Sequence, residues 1–233
     1  MSIGILKLNR IFMLNLEEIQ NLDIKKLEIL DRSFFVRNDI QQIARQLLGK
    51  LLITNTNEGL SGGIICETEG YFGSIDLACH AHKNKITKRN AALYKEGGIL
   101  YVHTCRGHVM LNVVTNKENI PHGILIRGIV PIIGIDLMRK RRGFIKDSML
   151  ANGPGKLTKA LGITMKHNML KICKDKFDIF LELPEICILD LNLYIDKKMI
   201  KQTPRIGVDY AKAWANIPLR FVILPQLFHK IQF

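Results

Sequence analysis

Cys66-Glu67-Thr68-Glu69-Gly70-Tyr71-Phe72-Gly73 is the stretch on which the reading of this chain turns. Ile64-Ile65 leads into it, and two glycines and two aromatics follow the acids. A short apolar run of this kind reads as a buried strand that delivers Glu67 and Glu69 to its end or rim. Residues two apart on a strand share one face, roughly 6.5–7 Å from each other. Two readings stand for the pair. Each acid is ion-paired at a sheet edge, or one is held partly buried as a general base, where desolvation raises its pKa toward the working pH.

Working outward, Asp39 is placed to cap a helix running through Leu48, with Ile40, Ile43, Ala44 and Leu47 on one face and Gly49 as its stop. Leu51–Thr54 and Gly62–Thr68 read as hairpin partners across a turn at 55–59. Ile99–Thr104 and Val109–Thr115 read as a second pair, turning through Cys105-Arg106-Gly107-His108. Gly123–Val130 is a further strand and carries Arg127; Gly134–Arg142 is helical. Gly153-Pro154-Gly155-Lys156 opens a short helix to Leu161, and Phe177–Leu183 and Ile186–Leu191 complete the strand candidates. Residues 1–34 form an N-terminal extension with short amphipathic helices at Leu14–Ile19 and Ile24–Leu30, and 35–233 form one domain in which short strands and helices intermix.

The chain has 233 residues, 47% of them hydrophobic, which is ample for a packed core and argues against disorder. Lysine and arginine total 34 against 21 acids, a formal charge of +13, and such an excess favours a polyanionic partner, nucleic acid first. No segment reaches 18 uninterrupted apolar residues, so the reading is of no membrane span, and no signal peptide precedes the domain. Five irregularly spaced cysteines do not make a disulfide framework, which points to a reducing cytoplasm.

Three chemistries compete. Cys79-His80-Ala81-His82 and His103-Thr104-Cys105-Arg106-Gly107-His108 have spacings that tempt a zinc reading, though neither is a clean Cys-x-x-Cys. Gly155-Lys156 resembles the end of a phosphate loop, but Leu150 stands where that motif needs glycine. The basic clusters Lys83–Arg89 and Arg139–Arg142 fit either a DNA backbone or a solvated face.

The quoted stretch continues into Asp76-Leu77-Ala78-Cys79-His80. After it come Thr87-Lys88-Arg89-Asn90, Leu111-Asn112-Val113-Val114-Thr115 and Leu125-Ile126-Arg127-Gly128. Asn152-Gly153-Pro154-Gly155-Lys156-Leu157, Arg205-Ile206-Gly207-Val208 and Pro218-Leu219-Arg220-Phe221 close the series. In order and at near-family spacing over roughly 35–225, these blocks resemble the alkyladenine (3-methyladenine) DNA glycosylases of the mammalian type, in a bacterial-like member.

The resemblance implies an α+β domain, with a curved antiparallel sheet, surrounding helices and a β-hairpin that enters the DNA minor groove. It implies excision of alkylated purines in base excision repair, by base flipping and water attack on the sugar C1′, with no lyase step, no cofactor and no metal. Glu69 matches the general base, and Arg127 and the Ile206 carbonyl match groups that hold the water. Tyr71 and His80 match the residues that sandwich the extruded base, and Asn112 matches a side chain that discriminates against guanine. His103 stands in place of one stacking tyrosine and Arg106 in place of the intercalating one; Lys88 replaces a family proline. Arg89, Arg106 and Lys156 are the DNA-binding candidates. The expected partner is double-stranded DNA containing damaged bases, met by a cytoplasmic monomer, nucleoid-associated in a bacterium. The alternatives are a non-catalytic DNA-binding relic of the same fold and a metal-dependent hydrolase.

Overall fold

A computed structural model describes residues 23–143, 145–175, 182–193 and 195–223. They form an antiparallel sheet of nine strands, ordered β1-β7-β2-β3-β6-β5-β4, with β9 paired to β3 and β8 to β9. The strands are β1 (Glu28–Ile29), β2 (Leu51–Thr56), β3 (Gly59–Tyr71), β4 (Leu100–Cys105), β5 (His108–Thr115), β6 (His122–Ile133), β7 (Ile186–Asp190), β8 (Ile200–Thr203) and β9 (Arg220–Ile223). The α-helices are α1 (Arg32–Phe35), α2 (Ile40–Leu47), α3 (Ile135–Arg142), α4 (Pro154–Ala160) and α5 (Ala213–Asn216). This is the α+β domain that the resemblance implies, with a curled sheet and a few helices.

β3 is the axis. Its first half pairs with β2, its second half with β9, and its other edge follows β6 throughout. The β3–β6 ladder is interrupted where the site lies. Ile65 pairs with Ile129, Glu67 with Gly128 and Thr68 with Ile126, so Cys66 and Arg127 are each left over. Such bulges kink a strand and re-aim its side chains. Thr68 turns to the helical face, where its hydroxyl donates to the Ala44 carbonyl at 2.9 Å, and Glu67 and Glu69 turn to the opposite face.

α2 begins as the sequence predicts. Asp39 accepts from the Gln42 N–H at 2.9 Å, and Ile40, Ile43, Ala44 and Leu47 are fully buried. Burying each of the larger three contributes about 1.5–3 kcal/mol. β4 and β5 meet in a two-residue turn at Arg106 (φ +49°) and Gly107 (φ +78°), with Cys105 opposite His108. Positive φ at both central positions is the type I′ geometry, whose twist matches that of paired strands. α4 braces the hairpin: the Thr158 hydroxyl donates to the Val109 carbonyl at 2.8 Å, and a Cβ on Gly155 would lie 2.7 Å from that of His108.

Two expectations need correction. Ile24–Leu30 is not a helix: a 3-10 turn at Ile24–Lys26 leads to β1, which pairs with Asp190 and Leu189 of β7, because Asp23 caps only one short turn. The expected helix at Leu14–Ile19 lies outside the described residues, as does most of Phe177–Leu183. At the basic end of α3 the three arginines are engaged within the fold, while Lys140 is exposed. Arg139 pairs with Asp136 and Asp147, Arg142 donates to the Leu150 carbonyl, and Arg141 reaches Glu58, Ser61, Thr56 and the Ala160 carbonyl with only 9% of its side chain exposed. Nor do the cysteine–histidine groups converge: among the described residues no three His, Cys, Asp or Glu side chains are placed to hold a metal. Cys79 is buried under Ala81, whereas His103 faces His80 and Tyr101 ring to ring. Among the described residues no helix is long and apolar enough to cross a membrane.

Candidate active site

The second half of β3 ends against a cavity of about 260 Å³, walled by Tyr71, His80, His103, Asn112, Arg127 and Ile206 among others. Glu69 lies directly behind that wall, with no exposed surface. Its Oε2 accepts from the Tyr71 hydroxyl at 2.9 Å, its Oε1 accepts from the Ile206 N–H at 2.8 Å, and Arg127 Nε stands 3.4 Å from Oε1. Burial pushes the Glu69 carboxyl above the ordinary 4.5, against the pull of Arg127, the Ile206 amide and the Tyr71 hydroxyl. A buried carboxylate with donors on both oxygens and a guanidinium alongside is fixed in place and remains a competent proton acceptor.

Of the two acids, Glu67 is ion-paired and Glu69 is the buried one. Glu67 Oε1 accepts from Arg127 Nε at 2.9 Å and from Arg220 Nε at 2.6 Å. Sequence reasoning quoted Arg220 without giving it a role. Arg205 was likewise unassigned, yet it organises the back of the site. Arg205 and Asp76 form a bidentate pair with neither side chain exposed. Arg205 also donates to the Gly70 carbonyl at 3.0 Å and covers the Tyr71 ring at 4.6 Å. Asp76 in turn accepts from the N–H groups of Phe72 and Ala78, which locks the turn leaving β3. Because Ile206 follows Arg205 in the chain, this pair also holds the amide that reaches Glu69. Glu67, Glu69 and Asp76 thus interleave with Arg127, Arg205 and Arg220, three charges of each sign.

The far wall is aromatic. His103 stacks on Tyr101 at 4.7 Å and 16°, and meets His80 edge to face at 4.7 Å. His80 Nδ1 and the Tyr101 hydroxyl are 2.8 Å apart. Asn112 bonds the Tyr101 carbonyl and His103 Nδ1, at 3.2 and 3.3 Å. Burial, with His80 and Arg89 nearby, pulls His103 down to about 3, so both faces of the cavity are uncharged at neutral pH where the rings lie. Tyr101 belongs to the matching hairpin stretch Tyr101-Val102-His103 but was given no role, although its two-residue spacing from His103 on β4 was the available signal. Asn90 positions the loop bearing His80 by donating to the carbonyls of His80 and Lys85.

Of Arg89, Arg106 and Lys156, Arg106 is among the residues lining the cavity. Arg106 is exposed at the hairpin tip, and Arg89 donates to the Thr104 carbonyl at 2.7 Å at the hairpin's flank. Lys156, at the start of α4, bonds Asn152 at 2.9 Å. Of Ile206, it is the amide that touches Glu69. Among the described residues no lysine lines the cavity. Burial pushes the thiols of Cys66, Cys79 and Cys187 up to about 12, 11 and 12, which makes them poor nucleophiles.

The family model for methylpurine-DNA glycosylase matches residues 33–226. A Chlamydia pneumoniae protein is 42% identical over 207 residues, covering 85% of this chain and 96% of its own. A Chlamydia felis protein is 40% identical over 198 residues (84% and 96%), and one from Bdellovibrio bacteriovorus 37% over 201 residues (86% and 97%). All three carry the name "Putative 3-methyladenine DNA glycosylase".

Proposed function

This chain belongs to the methylpurine-DNA glycosylase family, and from that premise we propose that it excises alkylated purines of the 3-methyladenine type from duplex DNA, with Glu69 as general base. The observation that carries the reading is the buried Glu69 carboxylate, bonded to Tyr71 and Ile206 and flanked by Arg127, behind the wall of an aromatic cavity.

The damaged nucleotide swings out of the duplex into the cavity, which favours bases that already pair poorly. Tyr71 and His80 hold the base between them, with His103 and Tyr101 completing the wall. Stacking contributes about 1–3 kcal/mol and tolerates different purines. Glu69 removes a proton from water while the water oxygen bonds to C1′ and the C1′–N bond breaks. The electron pair of that bond leaves with the base. An alkylated purine that carries positive charge becomes neutral as it departs, so leaving-group ability supplies much of the selectivity. The products are a free base and an abasic sugar. The proposed reaction is monofunctional: a lyase step needs an amine nucleophile, and among the described residues no lysine lines the cavity. Asn112, in the cavity wall, is the side chain proposed to discriminate against guanine. Arg106 occupies the space that the flipped base vacates, and Arg89 and Lys156 flank the duplex. The enzyme works as a cytoplasmic monomer on DNA.

Glu69→Gln tests this. Incubation with methylated duplex DNA followed by chromatography should show free 3-methyladenine from the wild type and none from the variant, with duplex binding retained. Excision by the variant at the wild-type rate defeats the assignment. Binding by the wild type with no base released returns the chain to the DNA-binding relic reading.

A further inference from the structure

Arg127 Nε carries a single hydrogen, and two carboxylates compete for it. Glu67 Oε1 takes it at 2.9 Å, while Glu69 Oε1 stands at 3.4 Å from the same nitrogen. We infer that Glu67 and Arg220 are positioning residues that hold the Arg127 guanidinium off Glu69, leaving the base free to accept its proton; the inference rests on the role of Glu69 proposed above.

The arrangement is more specific than an edge ion pair. The Glu67 side chain is 15% exposed and its Oε1 is gripped from two sides, by Arg127 Nε and by Arg220 Nε at 2.6 Å. Arg220 is itself pinned, its Nη1 donating to Thr203 Oγ1 at 3.1 Å on the neighbouring strand β8. Glu67 therefore has a fixed position, and through it Arg127 does too. No hydrogen bond among the described residues uses the Nη groups of Arg127, which lines the cavity. Anchoring the guanidinium by Nε leaves its two terminal nitrogens for water or for oxygens of the DNA. Glu69, by contrast, receives its two hydrogen bonds from a backbone amide and a phenol, neither of which carries a charge. Without the Glu67 carboxylate the nearest anion to Arg127 Nε is Glu69. A charge-assisted bond formed there stabilises the ionised form of the base and weakens it as a proton acceptor. Without Arg220 the reverse holds: Glu67 keeps Arg127 but its negative charge is less compensated, and Glu69 becomes harder to ionise.

The test is the pH dependence of single-turnover excision from methylated duplex DNA by the full chain, wild type beside Glu67→Gln and Arg220→Gln. Excision requires ionised Glu69, so each profile has an acid limb at the pKa of that residue. The limb should move to lower pH in Glu67→Gln, with a plateau on the order of tenfold lower, as for a weakened general base. It should move to higher pH in Arg220→Gln. Limbs that stay at the wild-type pH in both variants, with only plateau heights altered, reduce the two residues to supports of the fold and overturn the inference. If Glu67→Gln does not fold, the upward shift in Arg220→Gln decides alone. A wild type that frees no base at any pH overturns the functional reading instead.

Discussion

The Tyr71 hydroxyl donates to Glu69 Oε2 at 2.9 Å, joining two residues that share one face of β3. Burial and the Glu69 charge hold the phenol well above its ordinary value, so it remains a donor throughout the working range. Wild-type excision should therefore fall as pH drops through a carboxyl pKa above 4.5, because burial raises that of Glu69 and only its ionised form accepts the proton. Tyr71→Phe removes a donor to the charged form and should move the acid limb further up by about one unit, since bonds to charged groups contribute about 1.5–3 kcal/mol. Single-turnover profiles of both proteins check this.

Asp76→Ala should be the most destabilising single change near the site. It leaves the unexposed Arg205 without its bidentate partner and unlocks the turn at Phe72 and Ala78. Breaking a buried pair costs about 3–5 kcal/mol, which for a domain of this size is roughly 10 °C in Tm. Calorimetry measures it, and a loss under about 1 kcal/mol contradicts the role given to the pair.

Arg106→Ala should weaken duplex binding and leave Tm unchanged. The side chain stands exposed at the hairpin tip, and the turn conformation depends on Gly107 as much as on Arg106. If the guanidinium meets phosphate, the slope of log Kd against log salt should shrink by about one. If it fills the vacated base position, excision should fall more than binding does.

His103 makes folding stability sensitive to mild acid. Unfolded, it takes up a proton near 6.5; folded, burial and its neighbours hold it neutral to about 3. Stability is fully present above 6.5 and should decline as pH falls between those values, since only the unfolded chain gains the proton. His103→Phe should flatten that part of the decline, read from urea midpoints at a series of pH values.

Much of this was legible because it was local. Asp39 and the period of Ile40, Ile43 and Leu47 specify α2 from one short stretch, and Arg106-Gly107 between two apolar runs marks the hairpin. The pairing of acids at 67 and 69 was visible, but not which would be buried, because that depends on Arg220 and Ile206, far along the chain. The Asp76–Arg205 pair spans 129 residues and leaves no periodic trace. The arginine run ending α3 misled for the same reason: its carboxylate and carbonyl partners at Glu58, Asp147 and Leu150 lie in other elements. The resemblance supplied what composition could not, the identity of the residues around the cavity.

Cys66 and Arg127, each left without a partner in the β3–β6 ladder, set the phase of everything downstream. Side chains alternate every residue along a strand, so losing the one residue of β3 between Glu67 and Glu69 carries Glu69 to the other face. Glu69 then turns toward α2 and away from the Ile206 amide. This pair of strands can absorb many changes of side chain. It cannot absorb a change of length, and a single-codon deletion here does more harm than a radical substitution.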